Sequence, residues 1–201
     1  MTAIIDYDAG NIRSVEKAFK YLGSDVNVSR DPGVIAAADR VVLPGVGVFG
    51  DAKNKLVRYG LEPVIKEVIA SGTPFLAICV GLQLLFDSSE ESEDVSGLSV
   101  FPGEILRIPS EGGLKVPQIG WNSLELKNPS RLLKGIEDGS FVYFVHSYYL
   151  KAKDPSIVTS VTRYGTEIHA SVEKDNVFAT QFHPEKSSET GLHILKNFLE
   201  M

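Results

Sequence analysis

Apolar residues along this chain follow two rhythms, and the change between them falls near Gly97. Through the first 86 residues, short apolar runs alternate with segments whose apolar positions recur every three or four residues. Ala3-Ile-Ile5 reads as a buried strand, and Asp6 to Asn11 behind it has turn chemistry. Ile12, Val15, Ala18, Phe19 and Leu22 then make one helical face, with Gly23 placed as a C-terminal cap. Val26 and Val28 alternate with polar neighbours as a strand does, and Pro32 to Ala38 predicts a short helix. Arg40 to Pro44 is a second buried strand, emptying into Gly45-Val46-Gly47, where two glycines free the backbone. Leu61, Val64, Ile65, Val68 and Ile69 mark another helix, ending near Gly72. Directly after it comes Phe75 to Phe86, which reads as a strand, the only cysteine of the chain, and a buried helix face made by Leu82, Leu85 and Phe86.

Beyond Gly97 the helical spacing gives way to short strands between clusters of Gly, Pro, Asn and Asp. The candidates are Ile105 to Ile108, Trp121 to Leu126, Phe141 to Val145, Ile157 to Thr162, Ile168 to Val172 and Val177 to Phe182. Thr162 to Thr166 and Glu173 to Asn176 look like hairpin turns, and a last helix spans roughly Glu189 to Leu199. Alternating strands and helices followed by hairpins predict an α/β fold: a flavodoxin-like, mostly parallel central sheet flanked by helices, with antiparallel strands added in the C-terminal half. No repeat or linker divides the chain, so residues 1–201 are expected to form a single domain. Ligands in such sheets bind beyond the carboxyl ends of the strands, where Asp6, Gly45 and Cys79 all fall.

Composition narrows the class of function. A chain of 201 residues, 43% hydrophobic and 23% charged, has ample material for one core. Its net charge of −6 and pI of about 5.3, with no basic stripe, argue against a nucleic-acid footprint. One cysteine forms no internal disulfide, the N-terminus lacks the pattern of a signal peptide, and no apolar run nears the roughly 18 residues of a membrane span. A cytoplasmic protein is the expectation.

Cys79 lies where strand turns to helix. A sharp turn of that kind lifts a side chain clear of the sheet and sets a sulfur beside the unpaired N–H groups of the helix start, which is the logic of a nucleophile elbow. The elbow pattern carries glycine two residues before and two after the nucleophile; here Ala77 and Gly81 occupy those places. A lone cysteine in an apolar run is also among the most commonly buried residue types. His183 and Glu185, in Gln181-Phe-His-Pro-Glu185, stand two apart at the end of the last strand, where an extended backbone would bring them side by side. A carboxylate beside imidazole protonates one ring nitrogen and aims the other, although a His-Pro-Glu surface turn explains the same letters. His146 ends an aromatic strand in Tyr143-Phe-Val-His-Ser-Tyr148. His169 and His193 are expected to be exposed to solvent, and the acidic stretch Asp87 to Asp94 reads as a solvated loop with no metal site.

Taken together, Pro44-Gly-Val-Gly47, Ala77-Ile-Cys-Val-Gly-Leu-Gln83, Tyr143 to Tyr148 and Phe182-His-Pro-Glu-Lys-Ser187 resemble, in order and separation, the triad-type class I glutamine amidotransferases. Asn11-Ile-Arg-Ser14 and Gln118-Ile-Gly-Trp-Asn122 make the chain most similar, within them, to the glutaminase subunits of imidazole glycerol phosphate synthase. Ala77 and Gln118 depart from the usual pattern, which has glycine at the first position and frequently histidine at the second. The resemblance implies a triad of Cys79, His183 and Glu185, and glutamine as the substrate. Gln83, His146, Ser147 and Tyr148 would hold its amino and carboxylate groups. Backbone N–H groups at Val46, Gly47 and Val80 would serve as oxyanion donors. It further implies a heterodimer with a separate cyclase subunit that consumes the ammonia, contacted through Asn11, Arg13, Trp121, Tyr143 and Lys186, with no metal or organic cofactor for the glutaminase step. Other ammonia-donating glutaminases, such as the one serving pyridoxal phosphate synthesis, a γ-glutamyl hydrolase acting alone, or a non-catalytic binding module of the same fold, are the competing readings.

Overall fold

A computed structural model describes residues 1–8 and 10–201. The first half runs β1 (Thr2–Ile5), α1 (Ile12–Tyr21), β2 (Val26–Ser29), α2 (Pro32–Ala36), β3 (Arg40–Gly45), α3 (Phe49–Arg58), α4 (Leu61–Ala70), β4 (Phe75–Cys79) and α5 (Val80–Leu84). The second runs β5 (Ser88–Ser89), β6 (Gly103–Arg107), β7 (Gln118–Ser123), β8 (Glu125–Leu126), β9 (Phe141–His146), β10 (Tyr148–Ala152), β11 (Val158–Tyr164), β12 (Thr166–Lys174), β13 (Val177–Thr180) and α6 (Ser188–Leu199). Short 3-10 turns occur at Glu111–Gly113, Pro155–Ile157 and Pro184–Lys186.

One sheet has the order β2-β1-β3-β4-β13-β12-β10-β6-β5, with β11 joined to β12 and β8 joined to β11. Its first five strands are mutually parallel, and the antiparallel additions begin at the β13–β12 pair. Every residue of β1, β4 and β13 is buried, as expected of parallel strands covered by helices on both faces. Edge strand β2 has no fully buried residue, and its Val26 and Val28 lie on one side with polar Asn27 exposed between them. Below the sheet, Phe19 and Phe178 each meet the Phe198 ring edge-on at 6.1 Å, which locks α1 and α6 against β13. β7 and β9 form a separate antiparallel ribbon that pairs Trp121 with Tyr143 and Gln118 with His146.

The hydrophobic rhythm located most elements, and its misses have local causes. α3 went unpredicted because its buried face, Phe49, Ala52, Lys53 and Leu56, includes a lysine, which Glu62 neutralises at 2.8 Å. β10 is not among the strands that the spacing predicts; it is held in place by pairing on both sides, with β6 and β12. The acidic stretch is more than a solvated loop: the Glu91 carboxylate accepts the Phe49 N–H at 2.8 Å and Ser92 Oγ accepts the Gly50 N–H at 3.1 Å, so together they cap α3. His169 is also corrected. It is buried and accepts the Ala152 N–H at Nδ1 (3.1 Å), serving the β12–β10 edge, while His193 is exposed as expected.

Candidate active site

Sheet order assembles the site. β3, β4 and β13 are adjacent and parallel, with Gly45 registered on Cys79 and Thr180 on Ile78, so three chain segments far apart in sequence emerge side by side. They are the Gly45–Gly47 loop, the Cys79 turn and the Gln181–Glu185 turn. β9 is tied to the last of these, since the His183 N–H donates to the Tyr143 carbonyl (3.0 Å), Ser187 Oγ to the His183 carbonyl (2.6 Å), and the Tyr143 N–H to Ser187 Oγ (2.9 Å).

Cys79 has φ 56° and ψ −111°, a left-handed conformation that costs a non-glycine residue about 1–3 kcal/mol unless its surroundings impose it. Close backbone packing imposes it here. A Cβ on Gly81 would stand 2.2 Å from the Leu43 carbonyl oxygen, and one on Gly45 would stand 2.5 Å from the Gly81 nitrogen. Ala77 lies one pleat earlier, fully buried in β4 between Leu43 and Ala179, and the elbow forms with alanine there. Behind the loop, the buried Tyr7 hydroxyl donates to the Pro44 carbonyl (2.7 Å); burial first, then the charge of Cys79, keeps that phenol protonated.

His183 Nδ1 lies 2.7 Å from Glu185 Oε1, and Nε2 is buried without a hydrogen-bond partner, in the cleft that Cys79 also lines. The two side chains meet as predicted, though by another route: Pro184–Lys186 is a 3-10 turn, so Glu185 folds back on His183 instead of sharing a strand face with it. Burial opposes the imidazolium, yet the charge of Cys79, then the Glu185 carboxylate at Nδ1, outweigh burial and push His183 up to about 10. Asn11, predicted for a partner surface, turns inward: Asn11 Nδ2 donates to Glu185 Oε1 at 2.6 Å, and the side chain makes no cap bond to α1. Arg13 is exposed on α1.

A cleft of about 370 Å³ opens over Cys79, within the range of small-ligand sites. Val46, Gly47, Val80, Gln83, His146, Ser147, Tyr148, His183 and Lys186 all line it, as do Glu91, Pro117 and Val145. Gly47 holds φ +95°, and Val80 opens α5, so its N–H has no carbonyl one turn earlier. Gln83 is buried with its amide NH2 shared between the Tyr148 carbonyl and Gln181 Oε1, each at 3.1 Å. His146 Nδ1 lies 2.8 Å from the Tyr148 carbonyl and Nε2 3.1 Å from Gln118 Oε1, so the departing Gln118 is buried against the ring. Two functional candidates escaped the sequence reading. Glu91 sat in a stretch that looked solvated, and Gln181, though two residues before His183, carries no marker of its own. Trp121 is 50% exposed, edge-on to Tyr143 at 6.0 Å, with Lys186 Nζ 6.0 Å above the same Tyr143 ring.

An activated sulfur, an imidazole oriented by a carboxylate, and backbone donors at a strand-to-helix turn are the parts of a machine for acyl transfer through a thioester. The sequence model of the glutamine amidotransferase class-I family matches residues 3–201, and the chain belongs to that family. Among its relatives, an imidazole glycerol phosphate synthase subunit HisH from Moorella thermoacetica is 51% identical over 199 residues, covering 99% of this chain and 94% of the relative. HisH subunits from Methanothermobacter thermautotrophicus (51% identical; 100% and 98% covered) and Aquifex aeolicus (50%; 98% and 95%) are similar over the same extent. Solved structures share the fold at lower identity. PurLQS from Thermotoga maritima superposes with a TM-score of 0.78 at 20% identity, covering 99% of this chain and 97% of that one. The crystal structure of a glutamine amidotransferase reaches 0.76, also at 20%, covering 98% and 97%. No helix among the described residues is long and apolar enough to cross a membrane.

Proposed function

We propose that this chain is the glutaminase subunit of an imidazole glycerol phosphate synthase, hydrolysing glutamine to glutamate and ammonia and passing the ammonia to a cyclase subunit in histidine biosynthesis. The observation that carries the reading is the convergence of Cys79 with the His183–Glu185 pair over a glutamine-sized cleft, in a chain about half identical to HisH subunits throughout its length. Cys79 Sγ attacks the side-chain amide carbon of glutamine. The resulting oxyanion is met by the Val80 N–H and by an N–H from Val46–Gly47. His183, an imidazolium at neutral pH, gives its Nε2 proton to the departing amine, so ammonia leaves and a γ-glutamyl thioester remains. Neutral His183 then takes a proton from water as that water attacks the thioester, and glutamate and the Cys79 thiolate are released. Glu185 holds the ring through Nδ1, with Asn11 on the same carboxylate oxygen.

Gln83, His146, Ser147 and Tyr148 line the place for the α-amino and α-carboxylate groups of glutamine, with the Glu91 carboxylate, at the same cleft, suited to the ammonium. On the outer face of the β7–β9 ribbon, Ile119, Trp121, Tyr143 and Phe141 form an apolar strip beside Lys186; this is the surface for the cyclase, an aromatic anchor with a charged rim. Residues 1–201 act as one unit, because the cleft draws side chains from both halves of the chain, and a single free cysteine at the centre of the chemistry suits a reducing cytoplasm. Mass spectrometry of the assembled complex quenched during turnover should find a glutamyl adduct on Cys79, and Cys79→Ala should release no glutamate. Release by Cys79→Ala at a rate comparable to wild type would remove the nucleophile assignment.

A further inference from the structure

Gln181 is fully buried just past the end of β13, between the buried Thr180, whose hydroxyl donates to the Phe182 carbonyl, and Phe182 itself. A buried amide is tolerated only when its polar atoms are matched, so what it is matched to shows what it is for. Its backbone N–H continues the ladder to the Ala170 carbonyl at 2.8 Å. Its side-chain Oε1 accepts from Gln83 Nε2 at 3.1 Å, and its Nε2 donates to Cys79 Sγ at 3.7 Å. Among the described residues the sulfur makes one other hydrogen bond, to the Val145 carbonyl oxygen at 4.0 Å, which can only accept and so offers nothing to a negative sulfur. Gln181 therefore supplies a neutral, fixed donor aimed at the reacting atom. Gln83, itself anchored on the Tyr148 carbonyl, sets the orientation of that donor.

We infer that Gln181 is a further catalytic residue, a hydrogen-bond donor to the Cys79 sulfur whose main effect falls on breakdown of the thioester. The inference rests on the glutaminase reading above. Two steps put charge on sulfur. In acylation the thiolate attacks, and a donor on it raises the population of the charged form while lowering its nucleophilicity, so the two effects largely offset. In deacylation the tetrahedral adduct of water and thioester collapses, the carbon–sulfur bond breaks, and its electron pair returns to Sγ. A thiolate held by a donor is the better leaving group. His183 is at that moment receiving the proton of the attacking water, so its help to the sulfur is incomplete when the bond breaks, whereas the Gln181 N–H is already in place.

Two variants separate this role from packing. Gln181→Met fills the site without a donor; Gln181→Leu removes the donor and leaves no polar atom facing the sulfur. In the assembled complex with glutamine as substrate, both should lower kcat about tenfold or more and lower KM with it, leaving kcat/KM within about threefold of wild type. The fraction of Cys79 carrying the glutamyl thioester at steady state, read by mass spectrometry after rapid quench, should rise. A fall in kcat/KM of tenfold with no thioester accumulating would make Gln181 a packing residue and overturn the inference, as would unchanged kinetics in both variants. If Gln181→Met fails to fold, Gln181→Leu alone decides by the same readouts. Absence of any thioester in the wild-type complex would instead sink the glutaminase reading itself, which keeps the two failures distinct.

Discussion

Two strand ends facing one cleft each present a buried histidine, and the two are driven in opposite directions. At the end of β13, His183 is 1% exposed and pushed up to about 10; at the end of β9, His146 is 6% exposed and pulled down to about 4. Burial alone disfavours the charged form of both. His183 escapes because it faces the Cys79 sulfur and the Glu185 carboxylate, two groups able to carry negative charge. His146 faces only neutral oxygens, those of the Tyr148 carbonyl and the Gln118 amide; the carbonyl raises it somewhat, and the positive charge of His183 lowers it further. A neutral ring has one N–H for those two oxygens, so turning the Gln118 amide to present its NH2 to Nε2 satisfies every atom. A cleft that must hold one mobile proton is thus built with one histidine that can carry it and a second that cannot compete.

The strongest way to break this comparison is to remove each ring in turn. His183→Ala should lower kcat for glutamine by about 10²–10⁴-fold, the range for loss of a general acid–base, with Glu185→Gln doing less harm because the ring remains. His146→Asn should act mainly through KM, with less than about a tenfold change in kcat. Steady-state kinetics of the complex measure both, and equal kcat losses at the two positions would mean that the strand ends do not divide the work as their surroundings indicate.

Stability should record the same opposition as two separate pH windows. His183 has a folded pKa above its unfolded value of about 6.5, so its contribution is complete below that pH and is lost as pH rises toward about 10. His146 has a folded pKa below its unfolded value, so its cost appears as pH falls from about 6.5 toward about 4 and reaches on the order of 3 kcal/mol. Urea midpoints across pH 4–10 should fall on both sides of a maximum near neutrality. His146→Asn should flatten only the acid side and His183→Gln only the alkaline side; a flat acid limb in wild type would contradict the neutral His146.

The smallest expected effect lies on the outer surface, where the two strand ends touch again through Trp121, Tyr143 and Lys186. Trp121→Ala should weaken binding of the cyclase by about 2 kcal/mol, the size of an aromatic anchor, with unfolding by urea little changed. Calorimetric titration of the two subunits checks it, and an unchanged Kd would move the partner surface off the ribbon.

The parallel half was largely legible because its strands are buried on both faces and read as unbroken apolar runs, with the helices between them marked by their spacing. The antiparallel half was legible as strands but not as a topology. Nothing in Val177–Thr180 says that, besides pairing with β12 before it, it lies parallel along β4, since pairing partners are chosen by long-range burial. That parallel pairing is what brings His183 to Cys79. The same cause hid Gln181 and Glu91: a buried glutamine and an acid in a polar stretch acquire meaning only from the atoms they meet, a sulfur and a helix start. Asn11 was placed on a surface by its segment and found on Glu185 by its geometry.

By itself, the sequence determined the identity of the reactive groups and the local shape of the turn that presents one of them. Cys79 falls where an apolar strand run meets a helical spacing, and Gly47 turns at φ +95° within its own loop, demands met within a few residues of chain and so written locally. Only the tertiary structure decided the charge of each histidine, the partner of each buried amide and the face on which each aromatic residue lies. Those depend on desolvation and on neighbours brought from up to 174 residues away, as Asn11 is to Glu185, and burial of that kind exists only once the sheet has assembled.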